Sequence, residues 1–115
     1  MKREPLVILG AGPVGLTLAL LLARRQVPSR LYDARELDAA RADRRVLALS
    51  RGSLQTLAAL ADLPSGLLAP IRTVVVSSVG QFGRAVIRED DVGGGPLGAT
   101  IRYGDLLQPL AAASR

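Results

Sequence analysis

The sequence predicts an α/β fold built on a strand–helix–strand unit, and three observations predict it. Four apolar residues, Leu6-Val7-Ile8-Leu9, run straight into Gly10-Ala11-Gly12-Pro13-Val14-Gly15, a G-x-G-x-x-G turn. An apolar, helix-like run over residues 16–23 follows it. A second short run, Ser29-Arg30-Leu31-Tyr32, then ends on Asp33, eighteen residues after Gly15 (33 − 15). Strand, glycine turn, helix, strand and acid in this order are the pattern of a dinucleotide-binding βαβ unit.

Each residue of the turn has its own reason. Gly10 lets the chain leave the strand in a tight turn. Gly12 lets the backbone come close to a pyrophosphate, and Gly15 lets the helix pack tightly on the strand. The helix start offers free N–H groups and the positive end of its dipole to an anion. Pro13 suits a first helical turn, where its missing N–H has no partner in any case. A carboxylate at Asp33 can accept hydrogen bonds from the ribose hydroxyls of an adenosine.

The rest of the chain reads in order. Residues 6–9 form a buried parallel strand, since the run is continuously apolar. Residues 13–25 form a helix that stops before Pro28, and residues 30–33 a second strand. Residues 35–45 are a charged loop, and 46–49 are short and apolar. Ser50 or Ser53 caps a helix over 54–61, ended by Pro64-Ser65-Gly66. Residues 71–79 are rich in β-branched side chains and read as a strand. Gly80-Gln81-Phe82-Gly83 is a turn, after which 84–88 pair back as a hairpin. Residues 89–98 are an acidic, glycine-rich loop, 99–102 are extended, and 105–113 form a helix.

Two parallel candidates followed by a hairpin fall short of a doubly wound sheet, which needs several parallel strands covered on both faces. The first strand would lack neighbours to bury it. The last helical run also reaches the final residue. The expectation is therefore that residues 1–115 are the N-terminal portion of a larger, incomplete domain.

Composition narrows the chemistry. At 115 residues and 49% hydrophobic content, one small domain with a packed core is expected rather than disorder. Aromatics are only 3%, too few for base stacking, so single-stranded nucleic acid is not an expected partner. The chain has no Cys and no His. Disulfides, thiol catalysis, His-based triads and the common zinc sites are excluded, and no metal site is expected. The net charge is +5, and Lys2 is the only lysine. The arginines are scattered singly or in pairs, as at Arg24-Arg25 and Arg44-Arg45, which favours solvated surface charge over a nucleic-acid or lipid patch.

Met1-Lys2-Arg3 ahead of the apolar run 6–23 also has the outline of a signal peptide. The turn residues Gly10, Gly12, Pro13 and Gly15 break that run, and Arg24-Arg25 stands where a small-residue cleavage site belongs.

Four segments resemble the FAD-dependent aromatic-ring hydroxylases of the para-hydroxybenzoate hydroxylase type, and among them the ubiquinone-biosynthesis hydroxylases that act on polyprenyl phenols. They are the stretch from Val7 through the glycine turn to Ala19; Leu31-Tyr32-Asp33-Ala34, where the family more often has Glu at the acid; Asp43-Arg44-Arg45-Val46-Leu47-Ala48-Leu49-Ser50, similar to D-x-R-x-x-A-L-S; and Val76-Ser77-Ser78-Val79-Gly80-Gln81-Phe82-Gly83, similar to V-S-D-x-G-x-F-G. The first is shared by many nucleotide enzymes. The third and fourth are more selective. The resemblance spans the whole chain but only the N-terminal part of a family member. The family's D-G and later G-D motifs and most of its substrate pocket have no counterpart here.

The resemblance implies a Rossmann-like FAD/NAD(P)-binding βαβ unit with an added β-hairpin. Gly10, Gly12, Pro13 and Gly15 would hold the FAD pyrophosphate, Asp33 the adenosine ribose, and Arg45 the cofactor near its phosphates. A guanidinium forks well onto phosphate oxygens; a plain surface arginine is the competing reading of Arg45, and Arg44 is easily confused with it. The region 105–108 lies where the family brings further polar contacts. The implied reaction is hydroxylation of an aromatic, prenylated small molecule with O₂ and NAD(P)H. FAD supplies the chemistry, so no catalytic side chain is assigned. The expected location is cytoplasmic; the family's greasy substrates imply contact with the inner membrane, which without an anchor would be peripheral. Two readings compete: an NAD-dependent dehydrogenase, which Asp33 would suit, and a non-catalytic nucleotide-binding fragment.

Overall fold

The computed structural model describes residues 4–114. The basic segment Met1-Lys2-Arg3 of the signal-peptide reading lies outside the described residues. The apolar run after it is not one helix. Leu6–Leu9 is a strand (β1), and Pro13–Arg24 is a twelve-residue helix (α1). Ser29–Tyr32 (β2) pairs parallel with β1, in register from Leu6↔Ser29 to Leu9↔Tyr32. The predicted parallel βαβ unit is therefore present. α1 buries Leu16 and Leu20, one helical turn apart on the face it turns to the core. The helix ends at Arg24, and Gln26 beyond it takes a left-handed conformation with φ 58°. Its N–H donates to the Ala23 carbonyl, and that of Val27 to Leu22.

After β2 the chain leaves the parallel pair. The segment 35–45, expected to be a loop, contains a short helix, Leu37–Arg41 (α2). Asp38 in its first turn and Arg41 in its last suit the helix dipole, and Ala40 is buried in the core. Val46–Ser50 (β3) joins an antiparallel sheet in the order β3-β7-β4, where β4 is Ala69–Ile71 and β7 is Gly98–Arg102. Between β3 and β4 lies the helix Arg51–Leu60 (α3). Its cap is Ser50, whose side chain accepts the Ser53 N–H at 3.2 Å.

The stretch 71–79 is not one strand. It changes partners at Arg72: β4 ends at Ile71 against β7, and Thr73–Ser77 (β5) pairs antiparallel with Arg84–Arg88 (β6). The Arg72 carbonyl accepts the Glu89 N–H at 2.8 Å, and its guanidinium reaches the Glu89 carboxylate at 2.9 Å, so the switch point is pinned. The predicted hairpin β5–β6 is present. The acidic loop after it holds a single helical turn, Glu89–Val92 (α4), capped by the Asp91 carboxylate accepting the Arg88 N–H.

The last helix, Tyr103–Ala113 (α5), starts two residues earlier than expected. It organises the core: Leu106, Leu107 and Leu110 are all but inaccessible, packed with Leu16, Leu20, Leu57 and Ile101. The fold is mixed α/β, with three separate sheets among the described residues. Among the described residues the first strand has one neighbour, β2. Leu6, Val7 and Leu9 of β1 are exposed, and only Ile8 is buried.

Candidate functional site

The glycine turn sits where β1 hands over to α1, and its geometry explains each glycine. Gly10 has φ 111°, a conformation that L side chains rarely adopt. Its N–H donates to the Tyr32 carbonyl at 2.7 Å, tying the turn to β2. A methyl group on Gly15 would lie 1.9 Å from the Gly10 carbonyl oxygen, so only glycine lets the helix fold back this closely. A methyl group on Gly12 would meet the Tyr103 hydroxyl at 2.8 Å. Pro13 takes the first helical position, as its fixed φ favours.

The start of α1 suits an anion. Its first turn carries no acidic residue to offset the positive dipole end, and its first N–H groups have no carbonyl four residues back within the helix.

Asp33 lies beside the turn and is already engaged. One carboxylate oxygen accepts the Ala11 N–H at 2.7 Å, the other the Arg35 N–H at 2.7 Å. These bonds, that from Arg35 first, hold its pKa below the ordinary carboxylate value. A carboxylate has about four lone-pair sites. Two of them latch the turn to the end of β2, and two remain open.

Arg45 comes to the same end of the molecule through strand pairing. Val46 faces Arg102 in the β3–β7 register, so Arg45 and Tyr103 flank that pair. The Tyr103 N–H donates to the Arg45 carbonyl at 2.7 Å. The Arg45 guanidinium stacks over the Tyr103 ring at 4.8 Å from its centroid, and that of Arg35 stands at 5.9 Å. Both guanidinium groups pair with the Asp43 carboxylate, Arg45 at 2.9 Å and Arg35 at 3.1 Å. Asp43 is only 10% exposed, and the Arg45 side chain holds its carboxyl far below the usual carboxylate range. The same contact raises the Arg45 pKa. Arg45 is thus an organised cation, two-thirds exposed and held by Asp43 and the Tyr103 ring.

The structure brings the six predicted residues, Gly10, Gly12, Pro13, Gly15, Asp33 and Arg45, to one end of the β1–β2 pair. Tyr103, Asp43 and Arg35 join them, and none of the three was assigned a role from sequence above. The only sequence signal for Tyr103 and Asp43 is type and position: Tyr103 is one of two tyrosines, at a strand–helix junction, and Asp43 opens the D-x-R segment. The 105–108 region divides between two clefts, with Leu106 lining the one beside the turn. Asp105 and Gln108 line a cleft with Asp62, Pro64 and Leu67 that shares no residue with the turn. Beside the turn a second, apolar cleft of about 730 Å³ opens between Pro13, Val14 and Thr17 of α1, Leu47 and Leu49 of β3, and Tyr103. Among the described residues, no helix is long and apolar enough to cross a membrane. A scan of the chain against protein-family models gives no match, and a search of curated proteins returns no relative.

Proposed function

We propose that this chain is the FAD-binding part of a flavoprotein monooxygenase that hydroxylates an aromatic ring, a polyprenyl phenol of ubiquinone synthesis, using O₂ and NAD(P)H. One observation carries the reading: a parallel βαβ unit whose glycine turn has an acid-free helix start, with an acid and an anchored arginine gathered at the same end. The turn and α1 bind the diphosphate, Asp33 orients the adenosine ribose while latching the turn, and Arg45 supplies a cation beside the phosphates. When bound, FAD supplies the redox and oxygen-transfer chemistry. The chain binds and orients; none of its side chains serves as nucleophile.

The dehydrogenase reading shares the turn but expects the parallel sheet to continue after the acid. Here β3 instead pairs antiparallel with β7, which favours the monooxygenase. Visible absorbance separates them. Flavin bands that survive gel filtration and vanish in Gly12→Glu support the FAD reading. Colourless protein that binds NAD tightly overturns it.

A further inference from the structure

The dinucleotide reading leaves one conspicuous side chain at the turn without a role. The Tyr103 hydroxyl lies on the Cα face of Gly12, since a methyl group built there would meet it at 2.8 Å. This is the face that a second glycine leaves open for a diphosphate. Among the described residues, no protein atom hydrogen-bonds that hydroxyl, although the ring packs against the core. The ring is held from two directions. Its backbone N–H is bonded to Arg45, and the guanidinium groups of Arg45 and Arg35 stand against it. Nothing in the packing requires an oxygen at this position, because phenylalanine would fill the same space and carry the same stacking.

We propose that Tyr103 is a diphosphate-contacting residue: its hydroxyl donates to a phosphate oxygen at the Gly12 face, and its ring sets the Arg45 guanidinium beside the same phosphate. This inference rests on the dinucleotide reading above. A phenol is a good donor to an anionic oxygen, and such charge-assisted bonds are stronger than neutral ones. Backbone N–H groups, one hydroxyl and one guanidinium then converge on a single anion. The Asp43 carboxylate keeps both arginines from drifting into solvent.

The test compares the full chain with Tyr103→Phe. The substitution removes one oxygen and keeps the ring, so equal thermal melts are expected. FAD is expected to bind at least about tenfold more weakly, the size of a lost hydrogen bond to a charged group. ADP, which carries the same diphosphate, loses the same factor. A second measurement needs no variant. With tyrosine labelled at the ζ carbon, ADP shifts the Tyr103 resonance of the wild type. FAD affinity within twofold of wild type for Tyr103→Phe, or an unmoved Tyr103 resonance in ADP-saturated protein, overturns this inference alone. Wild-type protein that binds neither FAD nor NAD overturns the parent reading, and this inference falls with it.

Discussion

Asp43 draws Arg35 and Arg45 onto one carboxylate, and Asp33 accepts two backbone N–H groups. Both acids therefore have folded-state pKa values below the unfolded value of 3.8. A group with a depressed folded pKa stabilises the fold above its unfolded pKa and loses that contribution as pH falls through the folded value. Stability is thus expected to be level near neutrality and to fall below about pH 4. Urea melts between pH 7 and pH 2.5 measure this slope. Asp43→Asn should flatten it at the acid end, and an unchanged slope would remove Asp43 from the account. The turn itself gives a second residue-scale expectation. Gly15→Ala forces a methyl group onto the Gly10 carbonyl, a backbone atom that cannot swing aside. A loss on the order of 3 kcal/mol in chemical denaturation is expected. Gly52→Ala in α3 meets open space and should be neutral or slightly stabilising.

At the level of elements, helix ends are the readable joints. Ser50 accepts the Ser53 N–H, so Ser50→Ala should cost about 1 kcal/mol, with α3 fraying first by amide exchange. Gln26 sits at a left-handed C-terminal position that glycine occupies without a Cβ penalty. Gln26→Gly is expected to raise stability by about 0.5–1 kcal/mol, and a lower melting temperature would contradict that. These elements also show what was legible in the sequence. β1, the turn, α1 and β2 could be read because an apolar run meeting three spaced glycines has few other solutions. The cap of α3 was legible as a choice between two serines. The helices α2 and α4 were not. They are four or five residues long, and tertiary contact at Ala40 and a single cap at Asp91 decide them rather than periodicity. The stretch 71–79 looked like one strand because its composition is uniform; the break at Arg72 comes from the pairing of β4 with β7, which is distant in sequence, whereas β5 pairs with the adjacent β6. Tyr103 was invisible for the same reason, since β3–β7 pairing brings it to Arg45 across 58 residues (103 − 45).

The whole molecule is more extended than its length requires. Its Cα radius of gyration is 17.1 Å, with extents of 57 × 32 × 31 Å. A compact chain of this length would have a radius near 13 Å. The excess goes with sheets that are too small to bury their own side chains. Among the described residues β1 and β2 pair only with each other, and β1 exposes Leu6, Val7 and Leu9. β5 is exposed along its whole length, and the hairpin tip holds Val79 and Phe82 fully in solvent. A two-stranded hairpin is marginal by itself in water, and contiguous exposed apolar surface drives association. The chain alone should therefore bind an apolar dye strongly and sediment as concentration-dependent oligomers. Amide exchange should be fast in β5–β6 and slow in α5, whose leucines form the core. Replacing Val79 and Phe82 with serine removes apolar surface that supports nothing in the fold, so it should weaken association without lowering the melting temperature. A single sharp melt, dye-silent and monomeric up to high concentration, would mean that these faces are better covered in solution than the strand pairing allows. The same result with the double variant alone would assign the association to the hairpin tip rather than to β1.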